Sequence, residues 1–170
     1  MSGRSGSGAL GGGMFGENET IVHPRHGVGR ISGVEQHEVH GRTARYVTIA
    51  FGRSMLTLRI PEEKLGSSGV RSVSSGPAMR SALDLLREPA ASFSGHWSKR
   101  QVQLQEKLNS GDPRCLAELI RDLSRQKSLP DGRVRREAIL RLAEELAVVN
   151  GVELAAAQES IVAQLSPEAA

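Results

Sequence analysis

The sequence predicts an α+β chain: a small N-terminal β-barrel of the SH3-like kind, then a compact C-terminal domain of five helices. Three observations point there. Between about residues 19 and 73, short runs alternate apolar with polar residues and break at glycines. From Gly76 onward the apolar residues recur every three or four positions, which is the helical period. The first 18 residues, MSGRSGSGALGGGMFGEN, are rich in Gly and Ser and show neither period, so they read as a flexible tail. The expected organisation is a tail over 1–18, a β domain over 19–75 and a helical domain over 76–170.

In the β domain, Ile21 and Val22 precede HPRHG, and VGRISGVE reads as a strand whose glycines mark bends or bulges. HEVHGR is a turn with Gly41 at its tip. In ARYVTIAF, Tyr46, Thr48 and Ala50 alternate with Arg45, Val47, Ile49 and Phe51. After a short turn at Gly52–Arg53, SMLTLRIP puts Leu56, Leu58 and Ile60 on one face and Met55, Thr57 and Arg59 on the other. Pro61 ends the run because it has no N–H for a ladder. About 55 residues make a marginal domain, so the β part is expected to lean on the helices C-terminal to it.

In the helical domain, Pro77 suits a first helical turn, and AMRSALDLLRE places Met79, Leu83 and Leu86 on one side until Pro89. A helix over Trp97 to Asn109 carries Leu104 and Leu108 on the face that also holds Trp97. Asp112 is a natural N-cap before Pro113, and RCLAELIRDLSRQ stripes Leu116, Leu119, Ile120 and Leu123. RVRREAILRLAEELAVV forms a long amphipathic helix closed at Asn150–Gly151, and VELAAAQESIVAQL forms the last.

Composition narrows the function. No apolar run approaches the roughly 20 residues that a membrane helix needs, and the N-terminus lacks the apolar core of a secretory signal, so the expected location is cytoplasmic. A single cysteine, Cys115, allows no intrachain disulfide. The net charge is only +3, but it is unevenly spread. Trp97 to Arg141 holds eleven Lys/Arg against six Asp/Glu, and Leu142 to the end has five acids and no base. A basic block before an acidic end suits one face meant for a polyanion; a solvated helical surface laced with ion pairs accounts for it equally.

Catalytic motifs carry little. Gly6-Ser7-Gly8-Ala9-Leu10-Gly11 matches G-x-G-x-x-G, but it lacks the strand before and helix after that a dinucleotide site requires. His23 and His26 form one H-x-x-H pair, and His37 and His40 another; four imidazoles could hold zinc, yet no cysteine or carboxylate cluster joins them. Cys115 has no base beside it in sequence and reads as a buried small hydrophobe. No enzyme, metal or cofactor is expected.

Two stretches together resemble the CarD/CdnL family of bacterial transcription regulators. The first is HPRHGVGRISGVE with SMLTLRIPEEKLGSSGVRSV, and the second is HWSKRQVQLQEKLNSGDPRCLAELIRDLSR. The resemblance runs over about residues 20 to 165, and the ordered set is more specific than any piece. It implies a Tudor-like N-terminal domain that binds the RNA polymerase β subunit and is shared with transcription-repair coupling factor. It also implies a helical domain that contacts promoter DNA at the upstream edge of the melted region, a tryptophan wedged in the minor groove, and a stabilised open complex. The expected protein is monomeric and nucleoid-associated, and binds no membrane. By position, Trp97 matches the wedge, and Arg59 matches the strand arginine facing polymerase, with Thr57 and Met55 beside it. Two departures stand out. The aromatic that usually precedes the proline is His23, and a second polymerase-contacting arginine of some members falls at His37. A further basic residue of some members falls at Val102, which shifts the expected phosphate contacts to Lys99 and Arg100. Arg133, Arg135 and Arg136 are further phosphate candidates. The competing reading is a protein–protein adaptor whose helices do not touch DNA. Trp97 itself stays open on the residues alone: its helical face with Leu104 and Leu108 favours the core, and its basic neighbours favour the surface.

Overall fold

The computed structural model describes residues 15–91, 96–125 and 132–165. The N-terminal part is a five-stranded antiparallel sheet. Its strands are β1 (Thr20–His23), β2 (Gly27–Val39), β3 (Arg42–Phe51), β4 (Leu56–Pro61) and β5 (Arg71–Ser72), in the order β4-β3-β2-β1-β5. The expected barrel is therefore an open sheet. Its terminal strands β4 and β5 do not pair; β5 supplies only two residues, which pair with β1.

The alternation read in β3 holds. Val47, Ile49 and Phe51 are buried with Ile21, Ile31, Leu65 and Val70, and Leu56, Leu58 and Ile60 pack against them. The β2–β3 register shifts between Ile31 and Gly33, the kind of bulge that a glycine in a strand signals. β2 runs on to Val39, so the HEVHGR turn shrinks to His40–Gly41, both at positive φ, as a tight type I′ hairpin demands. Phe15, in the stretch expected to be tail, is buried in this cluster, and Asn18 N–H donates to Ile31 O at 2.9 Å.

There are six α-helices among the described residues, not five. The additional one is α1 (Glu62–Leu65), a single turn that comes after Pro61, starts with two glutamates and buries Leu65. Then come α2 (Gly76–Asp84), a 3-10 turn at Leu85–Arg87, α3 (Trp97–Asn109), α4 (Pro113–Arg125), α5 (Gly132–Asn150) and α6 (Leu154–Leu165). The stripes read in sequence meet in one cluster: Met79, Leu86, Leu104, Leu108, Leu116, Leu119, Ile120, Leu123, Leu142 and Leu146. Asp112 caps α4, accepting from Arg114 N at 2.7 Å and Cys115 N at 3.3 Å. Cys115 is half-buried rather than interior, because it flanks the stripe. No single helix among the described residues is long and apolar enough to cross a membrane.

Candidate functional site

The first candidate surface is the outer face of β2–β3–β4. Because side chains alternate across a strand, burying Val47, Ile49 and Leu58 turns Tyr46, Thr48, Thr57 and Arg59 outward. Arg59 Nη2 bonds Glu35 Oε2 at 2.5 Å and contacts His37 Nε2, and its guanidinium lies 5.3 Å from the Tyr46 ring centroid. His37 meets Glu35 at 2.9 Å and packs edge-on against Tyr46. The hydrogen bond from His37, with the charge of Arg59 beside it, holds the Glu35 carboxyl below its ordinary value. The structure thus brings Arg59 and His37 together and adds Glu35 and Tyr46, which the sequence reading did not select. Glu35 sits two positions before His37 in one strand, so the period-2 pattern was the available signal.

Met55 departs from the expected alternation. It sits in the Gly52–Met55 turn at φ 51° and is 90% exposed, so it is not a strand residue facing with Thr57. The turn is longer than the Gly52–Arg53 turn expected. Among the described residues β4 has a strand neighbour on one side only, so its outer edge presents N–H and C=O groups that no described strand pairs.

The second surface begins at α3. Trp97 is the first helical residue after His96, and 53% of it is exposed, while Leu104 and Leu108 on its helical face are buried. Packing on this helix therefore starts two turns after the tryptophan, and the indole is no part of the core. The Arg100 guanidinium lies 5.3 Å from the indole centroid, within cation–π range. Lys99 is exposed, as is Val102. The first turn of α3 holds no acid. Neither does the first turn of α5, which carries Arg133 and Arg135, with Arg136 just after it. Lys99 and Arg100 oppose the positive end of the helix dipole, so α3 begins with a local electrostatic misfit. Arg133 and Arg136 line a cleft of about 710 Å³ between α5 and α3, opposite Gln105 and Leu108; Arg135 does not line it.

The histidine pairs do not form one site. His23 and His26 lie 4.6 Å apart between centroids, with their rings tilted by 41°, at the β1–β2 corner, while His37 and His40 stand at the far end of β2. Among the described residues no group of three or more His, Cys, Asp or Glu is placed to hold a metal ion. The G-x-G-x-x-G stretch lies outside the described residues.

Comparisons with known proteins agree with this two-part layout. The CarD-like/TRCF RID domain matches residues 15–74, and the CarD C-terminal domain matches residues 81–162. YdeB of Bacillus subtilis (strain 168) is 28% identical over 144 residues, covering 82% of this chain and 94% of YdeB. The solution structure of the 72-residue N-terminal domain of Myxococcus xanthus CarD is 27% identical. That match covers 37% of this chain and 84% of the solved one, at a TM-score of 0.30, too low to bear on the fold.

Proposed function

The chain belongs to the CarD family of RNA polymerase-interacting transcription factors, and from that premise we propose that it stabilises the open promoter complex, acting without catalysis. The β part binds the RNA polymerase β subunit through Arg59, Thr57 and His37, with Met55 at the adjoining turn. The unpaired edge of β4 takes up a strand of the partner. The Arg59–Glu35 pair is exposed and screened by water, so exchanging Glu35 for a partner acid costs little.

The helical part contacts promoter DNA. The observation that carries this is a half-exposed lone tryptophan opening a helix whose first turn is basic and holds no acid. An indole there costs solvation unless something covers it, and the misfit of Lys99 and Arg100 with the helix dipole is relieved by phosphate. Trp97 enters a distorted minor groove, where insertion offsets unstacking already present in melted DNA. Arg133, Arg135 and Arg136 supply further phosphate contacts without reading sequence. Tethering on polymerase raises the local concentration of the helices to roughly millimolar, so weak DNA affinity suffices. Binding the open state better by about 1.4 kcal/mol shifts its ratio to the closed state tenfold.

Open-complex lifetime tests the reading. It should shorten with Trp97→Ala in a protein that still folds and still binds polymerase, and an unchanged lifetime refutes the wedge. Arg59→Glu should lose binding to the isolated β lobe, and retained binding refutes the proposed face. If a forked promoter fragment shows no shift with or without polymerase, the helices are a protein-binding platform instead.

A further inference from the structure

The sheet and the helices are joined by a polar interface centred on one face of α5. Glu137, Arg141, Glu144 and Glu145 recur there at helical spacing. Arg53, in the β3–β4 turn, reaches Glu144 through Nε at 2.6 Å and Glu137 through Nη2 at 3.0 Å. Arg141 donates to Glu137 at 2.8 Å, to Pro24 O at 2.9 Å and to Leu108 O at 2.9 Å, so it bridges the β1–β2 corner and α3. Arg71 of β5 grips Glu145 with both terminal nitrogens at 2.7 Å and donates to Gly111 O at 2.6 Å. Glu145 is 1% exposed and also accepts from Ser74 N at 2.8 Å, which pins the crossing between β5 and α2. Two glycines allow the close fit: a Cβ on Gly27 would meet Glu144 Oε2, and one on Gly111 would lie 2.7 Å from Pro24 Cα.

Three separate points of the β part therefore hold one helix. Domains of one chain move relative to each other by default, and a buried salt bridge adds little net stability, while in some proteins such groups specify geometry. We propose that Arg53, Arg71 and Arg141 with Glu137, Glu144 and Glu145 are positioning residues: they fix the angle between the Arg59 face and Trp97, so that docking on polymerase aims the indole at the melted edge. This rests on the polymerase-and-wedge reading above. Neither surface needs the clamp to bind its own partner; only their simultaneous engagement does.

The test uses the full chain with Arg53→Ala and, separately, Arg71→Glu, alone and with Glu145→Arg. Arg53 lies in a turn outside both apolar clusters, so its variant keeps the experiment alive if Arg71→Glu fails to fold. Spin labels at Thr43→Cys and Glu159→Cys, in a Cys115→Ser background, report the angle. One narrow distance is expected for the parent and a broad distribution for Arg53→Ala. Binding of each partner alone should stay at the parent level. Open-complex lifetime should fall to that of Trp97→Ala, with no further loss when Trp97→Ala is added. The Arg71→Glu, Glu145→Arg pair restores the ion pair but not the bonds to Ser74 N and Gly111 O, so it should recover both readouts in part, above Arg71→Glu alone. An unchanged narrow distance overturns the clamp. A broad distance with the parent lifetime, or losses that add to Trp97→Ala, overturns its positioning role. Should Trp97→Ala leave the lifetime intact, the wedge reading fails by itself, while the distances still judge the clamp.

Discussion

His23 should make the folded state acid-sensitive, and His23→Phe should remove its share of that sensitivity. His23 ends β1 with its ring almost wholly covered, edge-on to Phe51 and 4.6 Å from the ring of His26. Its Nδ1 accepts the Arg25 N–H at 3.1 Å, which requires the unprotonated nitrogen. Burial, then repulsion from His26, Arg25 and Arg141, lowers its pKa from 6.5 to about 4. The unfolded chain thus takes up this proton first as pH falls. The stability that His23 contributes is complete above pH 6.5 and drains away between 6.5 and about 4. By pH 5 the loss reaches about 2 kcal/mol. Other groups titrate in the same window. His26 is lowered in the same sense, by burial and then by Arg141 and Arg25. Burial raises Glu144, which gives the opposite slope. The informative quantity is therefore the difference between parent and His23→Phe in urea-unfolding free energy, measured at pH 7.5 and pH 5. The phenyl ring keeps the packing shape; its missing acceptor costs about 1 kcal/mol at both pH values and cancels from the difference. Equal pH slopes in the two proteins would refute the reasoning.

Two further substitutions test the supports of the fold. Gly111→Ala places a Cβ against the Pro24 backbone at a φ of +66°, so it should cost well over the roughly 1–2 kcal/mol of left-handed backbone strain alone, read as a drop in urea midpoint. A midpoint like the parent's would mean that the β1–β2 corner yields easily. Asp112→Ala removes the acceptor for two N–H groups of α4 and should cost about 1 kcal/mol by the same measurement, with Asp112→Ser recovering most of it.

Short-range patterns were legible where one face is buried. The alternation of Val47, Ile49 and Phe51 and the stripe of Leu116, Leu119, Ile120 and Leu123 each arise from a single period, and both reach the core. The features that local pattern missed depend on distant residues. Whether the sheet closes rests on β4 and β5 meeting, and nothing local in LTLRIP or RS states that. Met55 takes a left-handed turn conformation that a side chain with a Cβ disfavours, so alternation ran one residue too far. Phe15 sits in a Gly-rich setting that conceals its place in the core. The acids of α5, with Arg141 beside them, look like an ordinary solvated helix surface, because Arg53 and Arg71 lie far away in the chain, Arg53 and Glu137 being 84 residues apart. Trp97 was undecidable by period, since its helical face is apolar; only the depth at which α3 begins to pack separates the two readings.

The open edge at β4 has a parity. Its six residues carry apolar side chains at 56, 58 and 60 and outward ones at 57 and 59. If two copies of the chain paired antiparallel over the whole strand, every residue would oppose one of the other parity, and the apolar face of one sheet would meet the solvent side of the other. Shifting by one residue restores the faces but shortens the ladder. In one direction it also sets Arg59 against Arg59, a like-charge opposition. A foreign strand meets neither restriction. The even length of this edge thus disfavours full-length pairing with the chain's own copy, which keeps its faces only in a shortened ladder.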